Sequence, residues 1–461
     1  MTTTHFDLAI IGTGSGNSLV TPDFDGKRVA VIEEGTFGGT CLNVGCIPTK
    51  MFVYASDVAD HVREAARYGV DAALDGVRWR DIRDRIFGRI DPISEGGKDY
   101  RVNGPNTTAF LGHATFVGPR ELIVEVDGRH ETVTADQIVV AAGARPVIPQ
   151  LIQESGVPFH TSDTVMRIDE LPRSMVILGG GFISAEMAHV FSALGVDVRI
   201  VTRGPAMLRV EDAEISERFT QVAQRQWEVH LSATIEDVKG DESGVTLTLP
   251  DGTTVEGETL LVATGRRPNT DRLGLEAAGI ATHTDGRIVV DEFGRTAVDG
   301  VWALGDISSL HQLKHVANHE ARVVAHNLVH PDDLRAFDHR FVPAAVFSHP
   351  QVASVGLTEQ QAREAGHDVT TKTQAYGDVA YGWAMEDTTG ICKLVADRAT
   401  GELLGAHLLG PMASSLIQPA IQAMSFGLRV HEMARGQYWI HPALAEVLEN
   451  ALLGLEVPGQ E

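Results

Sequence analysis

Three cysteines in 461 residues are too few for a disulfide scaffold. Two of them, Cys41 and Cys46, stand five positions apart in GGTCLNVGCIPTK, Gly38 to Lys50. Positive charge is scarce as well. Against 62 acidic residues the chain has 38 lysines and arginines, a formal charge of −24 with histidine neutral. That balance argues against nucleic-acid binding, which depends on basic side chains neutralising phosphates, and it leaves no polybasic patch for a membrane surface. No apolar run approaches the roughly 18 residues of a membrane span. The N-terminal MTTTHFDLAIIGTG has neither the basic region nor the cleavage site of a signal peptide. These absences point to a cytoplasmic protein. In that reducing compartment a close cysteine pair suggests catalysis or metal binding rather than a structural staple.

What is present is ordinary globular material, 43% hydrophobic and 22% charged. At about 150 residues per domain the length suggests roughly three domains. The chain opens with a buried-strand pattern, DLAIIGTGSGN (Asp7 to Asn17), followed by a second strand that ends at Glu33. The pattern returns in SMVILGGGFISAEMAHVFSALGVDVRIVT, Ser174 to Thr202: strand, glycine turn, amphipathic helix, strand. Two such units imply two dinucleotide-binding domains. From about residue 340 the pattern changes to alternating strands and then helices, an α+β domain with an antiparallel sheet.

In the first unit Gly12, Gly14 and Gly16 form a turn that can approach a pyrophosphate, with a helix N-terminus behind it. Asn17 replaces the third glycine of the usual fingerprint, and Pro22, Asp23 and Asp25 leave the following helix short. Glu33 lies 21 residues after Gly12, where a carboxylate can accept hydrogen bonds from ribose hydroxyls. In the second unit, Gly179, Gly180 and Gly181 form the turn, and Ser184 takes the third glycine's place. Thr202, 23 residues after Gly179, stands where an NAD site would carry its acid, and Arg203 and Arg209 follow. A missing carboxylate with added arginines suits the 2′-phosphate of NADPH. The bland alternative is that both arginines are surface charges paired with Glu211 and Asp212.

Five residues of regular helix rise about 7.5 Å, whereas a disulfide needs Cα atoms within about 6.8 Å. Cys41 and Cys46 can therefore bond only if the chain bends. Gly38, Gly39 and Gly45 permit the bend, and Pro48 restrains the exit. The pair reads as a redox-active disulfide at a distorted helix start, a position that lowers a thiol pKa. A zinc site would need two more ligands nearby, and none is present. A pair of buried free cysteines is the remaining alternative. Cys392, alone in a strand pattern, is expected to be structural. Near the C-terminus, His441 precedes Pro442, which fits a helix start. A helix from there carries Glu446 one turn inward, where its carboxylate could fix the imidazole tautomer and raise its basicity.

These motifs, with VWALGDISS, VFSHPQVASVGLTE and HPALAE, resemble the pyridine nucleotide-disulfide oxidoreductases, a family that includes glutathione reductase and dihydrolipoamide dehydrogenase. The resemblance implies two Rossmann-like domains, for FAD and NADPH, and a C-terminal α+β dimerisation domain. The implied division is FAD-binding over 1–150, NADPH-binding over 151–270, FAD-binding again over 271–337, and the interface domain over 338–461. Glu33, Thr40 and Asp306 would bind FAD, with Gly12, Gly14, Ser15 and Gly16 around its pyrophosphate. Lys50 and Glu186 would pair beside the flavin ring. Phe182 would gate the nicotinamide pocket next to Gly179 and Gly181. A helix starting near His315 would aim its N-terminus at the flavin.

The implied activity is NADPH-dependent reduction of a small-molecule disulfide. Cys46 would lie against the flavin and Cys41 would attack the substrate. In the family's homodimer, His441 and Glu446 would serve the other subunit's cysteines. No metal is implied. A dihydrolipoamide dehydrogenase would want an acid at position 202. A glutathione reductase differs mainly in pocket chemistry, and a flavin-binding redox sensor would need no acid–base pair.

Overall fold

The computed structural model describes residues 3–459. The first sheet is built on Thr3–Ile11, whose apolar half is fully buried. This strand runs parallel to Val29–Glu33 on one side and to Arg129–Val140 on the other. Val301–Ala303 adds a further parallel strand beside Arg129–Val140, so a segment distant in sequence returns to this sheet. Glu121–Val126 and His113–Gly118 extend that sheet antiparallel, whereas the second sheet is parallel throughout, in the order Glu228–His230, Asp197–Val201, Ser174–Leu178, Thr259–Val262. A five-stranded antiparallel sheet follows in the C-terminal region, with Leu403–Gly410 and Ile391–Asp397 inside it. The chain thus has two Rossmann-like units and an α+β unit. Among the described residues no helix is long and apolar enough to cross a membrane.

The first crossover differs from expectation. A short helix was anticipated after the first glycine turn. Two 3₁₀ turns, Gly16–Leu19 and Pro22–Phe24, stand there instead. Pro22 has no N–H to extend an α-helix, and the single-turn pieces need none. Asn17, at the substituted glycine position, is held from outside. The guanidinium of Arg101 donates to its side-chain and backbone oxygens, both at 2.7 Å. Arg101 is buried, and burial lowers its pKa.

Two helices place the chemistry. Cys46–Glu64 follows directly on the five-residue helix Gly39–Asn43, and the chain bends between them at Val44 and Gly45. It packs against Phe182–Ala193, which starts at the second glycine turn. Trp79, at the start of a third helix, Trp79–Val102, bridges the two: Phe52 stacks on it at 5.0 Å between centroids, and it meets Phe191 at 5.8 Å. Truncating a fully buried Phe such as Phe52 removes about 3–5 kcal/mol. At the C-terminus the last helix is Ala445–Leu453, so it starts three residues after Pro442 rather than at it. Residues 441–444 form turns that still bring Glu446 back to His441.

Candidate active site

Both glycine turns open into one cavity of about 1940 Å³. At the first, Gly14 and Gly39 approach so closely that a Cβ on Gly39 would stand 2.7 Å from the Gly14 Cα. The turn and the start of the redox segment therefore share a cradle that only glycines leave open. The Glu33 carboxylate is oriented by Thr13, whose backbone N–H and hydroxyl donate at 2.9 and 2.7 Å, and by the N–H of Gly35 at 2.9 Å. Thr40 and Asp306 line the same wall. Burial pushes the Asp306 carboxyl up, while Arg266 and Lys314 pull it back. Ser15 accepts a hydrogen bond from Lys314 Nζ at 2.9 Å and donates to Asn318 at 3.2 Å. Gly16 does not face the cavity. It backs the turn onto the strand, where a Cβ would meet Ala141 and Ile10 at 2.9 and 3.0 Å. The cradle and its oriented acids fit a dinucleotide.

Cys41 and Cys46 both line this cavity and are free thiols, the reduced form of the pair. Cys46 is the first residue of its helix. The two thiols are within hydrogen-bond reach. That contact, together with the positive charge of Lys314 and the N–H groups of the helix start, lowers Cys41 to about 7. Cys46, as the donor, is pushed up. Cys41 is therefore the thiolate of the pair. Cys392 lies fully buried in its strand, and burial raises its pKa.

Lys50 and Glu186 do not form the expected ion pair. Phe347 takes both. Its backbone N–H donates to Glu186 at 2.9 Å, and its ring lies 4.3 Å from Lys50 Nζ. Glu186 is raised to about 7, chiefly by burial, with the Phe347 N–H and Lys50 acting in the opposite sense. Lys50 is not among the residues lining the cavity, whereas Glu186 is. His315 follows Lys314 at the start of the helix Lys314–Val329 and lines the cavity. Its ring is bound to the Pro343 carbonyl at 2.8 Å.

At the second turn Thr202 directly follows the strand Asp197–Val201 and is buried. A Cβ on Gly180 would stand 2.5 Å from its hydroxyl, so Thr202 packs directly on the turn. Gly179, Gly181, Arg203 and Arg209 line the cavity. Phe182 lies there too, half exposed, as the first residue of its helix. Neither arginine makes an ion pair among the described residues. Asp212 is taken by Lys393 at 2.9 Å, and the Glu211 carboxyl bonds to Ser354. Both arginines are exposed, as the surface-charge alternative has it, but neither pairs with Glu211 or Asp212.

His441 Nδ1 lies 2.7 Å from Glu446 Oε1, and the other carboxylate oxygen accepts the Ala443 N–H at 3.1 Å. The imidazole is largely exposed, and neither residue lines the cavity of its own chain. Sequence reasoning passed over Lys314 and Phe347. Lys314 had a readable signal. A lysine in the first turn of a helix opposes the macrodipole, so its presence there asks for another reason. Phe347 had none. Among the described residues no cluster of His, Cys, Asp or Glu is arranged to hold a metal ion.

The pyridine nucleotide-disulphide oxidoreductase family model matches residues 6–321, and that of the family's dimerisation domain matches residues 342–452. The chain belongs to the pyridine nucleotide-disulphide oxidoreductases. Mycothione reductase of Mycobacterium tuberculosis is 59% identical over 461 residues, covering 98% of this chain and 99% of the relative. Mercuric reductase of Streptomyces lividans is 36% identical over 463 residues, covering 97% and 96%. Among solved structures, a Cu(II) complex of the HOCl-induced flavoprotein disulfide reductase RclA from Escherichia coli matches with a TM-score of 0.86 at 29% identity. It covers 97% of this chain and 99% of that one. This pyridine nucleotide-disulphide oxidoreductase is thus a disulfide oxidoreductase that works with a flavin and a nicotinamide nucleotide.

Proposed function

We propose that the protein reduces mycothione, the disulfide of a cysteinyl glucosaminyl-inositol thiol, with electrons from NADPH. The observation that carries the reaction is the thiol pair. Both thiols open into the cavity that the second glycine turn shares, and the Cys46 contact, with Lys314 and the helix start, lowers Cys41 to about 7. The likeness to mycothione reductase over nearly the whole chain supports the substrate. The proposed division is the one read from the sequence, with FAD held by parts 1–150 and 271–337, NADPH by 151–270, and a homodimer formed through 338–461.

Glu33, Thr40, Asp306 and the turn Gly12–Ser15 would hold FAD, and Lys50 and Glu186 would stand near its reactive end. Bound there, FAD supplies the two-electron relay between nicotinamide and sulfur. Arg203 and Arg209, unpaired, suit the 2′-phosphate of NADPH, which a carboxylate at position 202 would repel. Phe182, half exposed at the head of its helix, would cover the nicotinamide side.

The sulfur chemistry follows from the thiols. The Cys41 thiolate attacks one sulfur of the substrate disulfide, whose S–S bond breaks, and the departing sulfur takes a proton from a histidine. Cys46 then attacks the Cys41 sulfur of the mixed disulfide and loses its own proton. A Cys41–Cys46 bond forms and the second thiol leaves. Two electrons have passed from the pair to the substrate. His441 and Glu446, exposed and outside their own chain's cavity, would serve the sulfur pair of the other protomer. Glu446 holds the imidazole with its proton on the correct nitrogen.

A steady-state panel tests this reading: NADPH with mycothione, glutathione disulfide and lipoamide. Turnover is expected with mycothione at a kcat/KM well above the other two. Preference for either of the others overturns the substrate. A protein that consumes one equivalent of NADPH and stops is a sensor, which overturns the enzyme reading.

A further inference from the structure

Beyond the second glycine turn the cavity is bordered by the loop 203–212. It leaves the strand Asp197–Val201 after Thr202 and ends at Asp212, which caps the helix Ala213–Gln226. The loop carries Arg203 and Arg209 and is tied along its length: the Gly204 carbonyl accepts the Ser232 N–H at 2.8 Å, and Met207 donates its N–H to the Thr220 hydroxyl at 2.9 Å and accepts the Ser216 hydroxyl at 2.7 Å. Midway, Leu208 has a left-handed φ of 51° and donates its backbone N–H to the Gly180 carbonyl at 2.8 Å. A leucine keeps that conformation only where its surroundings fix it. At the far end, Asp212 reaches into another sheet. Its Oδ1 lies 2.9 Å from Nζ of Lys393, in the C-terminal strand Ile391–Asp397. The same ammonium is 2.8 Å from Glu359 and 3.6 Å from Glu214. Asp212 also accepts the backbone N–H of Glu359 at 3.0 Å and that of Glu214 at 3.1 Å.

Only 7% of the Lys393 side chain and 2% of that of Asp212 are exposed. A dry ammonium persists only with matched counter-charges, and removing one partner of such a cluster is severe because the others are left uncompensated. Here three carboxylates converge on one lysine. Without it they repel one another, and the contact between the loop's end and the C-terminal sheet opens. None of these four side chains lines the cavity or touches the thiols, so the disulfide chemistry does not account for them.

We infer that Lys393 is a positioning residue for nucleotide choice: by clamping Asp212 it holds the loop 203–212 so that Arg203 and Arg209 meet the 2′-phosphate of NADPH. The inference rests on the NADPH reading above. The clamp couples the C-terminal sheet to the nucleotide end of the cavity, while the first glycine turn and the thiols stay outside its reach.

The test compares the full-length holoenzyme with its Lys393→Met variant by calorimetric titration of 2′,5′-ADP and 5′-AMP, with thermal melting alongside. The preference for 2′,5′-ADP over 5′-AMP should fall about tenfold, the size of coupling expected between groups in one network. Affinity for 5′-AMP should hold. In turnover, KM for NADPH should rise while kcat at saturation and KM for NADH stay. An unchanged preference with a lowered melting temperature overturns the inference and leaves the cluster a structural tie. A wild-type protein that binds both nucleotides equally overturns the NADPH reading and this inference with it. Should Lys393→Met not fold, Asp212→Asn replaces it, because asparagine still caps a helix. The same fall in preference is expected, and no fall overturns the inference.

Discussion

At the first glycine turn the strand ends in Glu33, whose carboxylate is already oriented by Thr13 and Gly35. At the second, Thr202 follows the strand's end at Val201, and the two arginines that come next have no ion-pair partner among the described residues. The two units share one topology, yet one presents prearranged acids and the other uncommitted cations. A prearranged site suits a group that stays, because its polar atoms are ordered before binding. Free guanidiniums suit a doubly charged group that comes and goes, because charge steers association more than it deepens affinity. The sulfur pair belongs to the first half, since the cradle of Gly14 and Gly39 adjoins it. The two halves should therefore fail separately.

The largest expected effect tests that separation. Cys41→Ser should lower disulfide turnover by about a thousandfold or more, the scale for removing an attacking group. Bound yellow flavin and its reduction by NADPH in stopped flow should both survive. Loss of the NADPH-driven bleaching would show that the halves are not independent. His441→Ala comes next, at about a hundredfold or more in the oxidative half, the scale of general acid catalysis. Rapid mixing should show slow reoxidation by substrate with NADPH reduction intact, and the reverse pattern would remove His441 from its role. Arg203→Glu makes the second turn resemble the first. The kcat/KM for NADPH should fall about tenfold or more relative to NADH. Equal losses for the two nucleotides would end the charge argument.

The smallest effect concerns Glu186, which lies between the halves. Burial lifts its pKa to about 7, above its ordinary value, so the folded chain binds a proton there that the unfolded chain has released. Stability should fall as pH rises from about 4.5 to 7, by at most about 3 kcal/mol from this group. Glu186→Gln should flatten that slope in thermal unfolding across the window. An unchanged slope would place the titration elsewhere.

Much of this was legible in the residues. The two glycine turns, the acid after one and the arginines after the other, and the cysteines with a bend between them are all short-range relations. So is the pair His441–Glu446, although its helix begins at Ala445 and only a turn brings the carboxylate back. The expected Lys50–Glu186 pair failed because Phe347, from a segment far along the chain, takes the lysine on its ring and the carboxylate on its N–H. The pairing of Arg203 or Arg209 with Asp212 failed for a like reason, since a lysine from the C-terminal sheet claims that acid first.

Local spacing in the chain settled which groups this protein has for binding nucleotides and exchanging disulfides, because turns, caps and strand ends depend on neighbours a few bonds away. Which of those groups are charged, paired or free was decided by the fold. Lys314 lowers a thiol 273 positions earlier, and Phe347 and Lys393 redirect carboxylates that their own sequence neighbours leave unmatched. Burial and Coulomb attraction act through space, and only folding sets those distances.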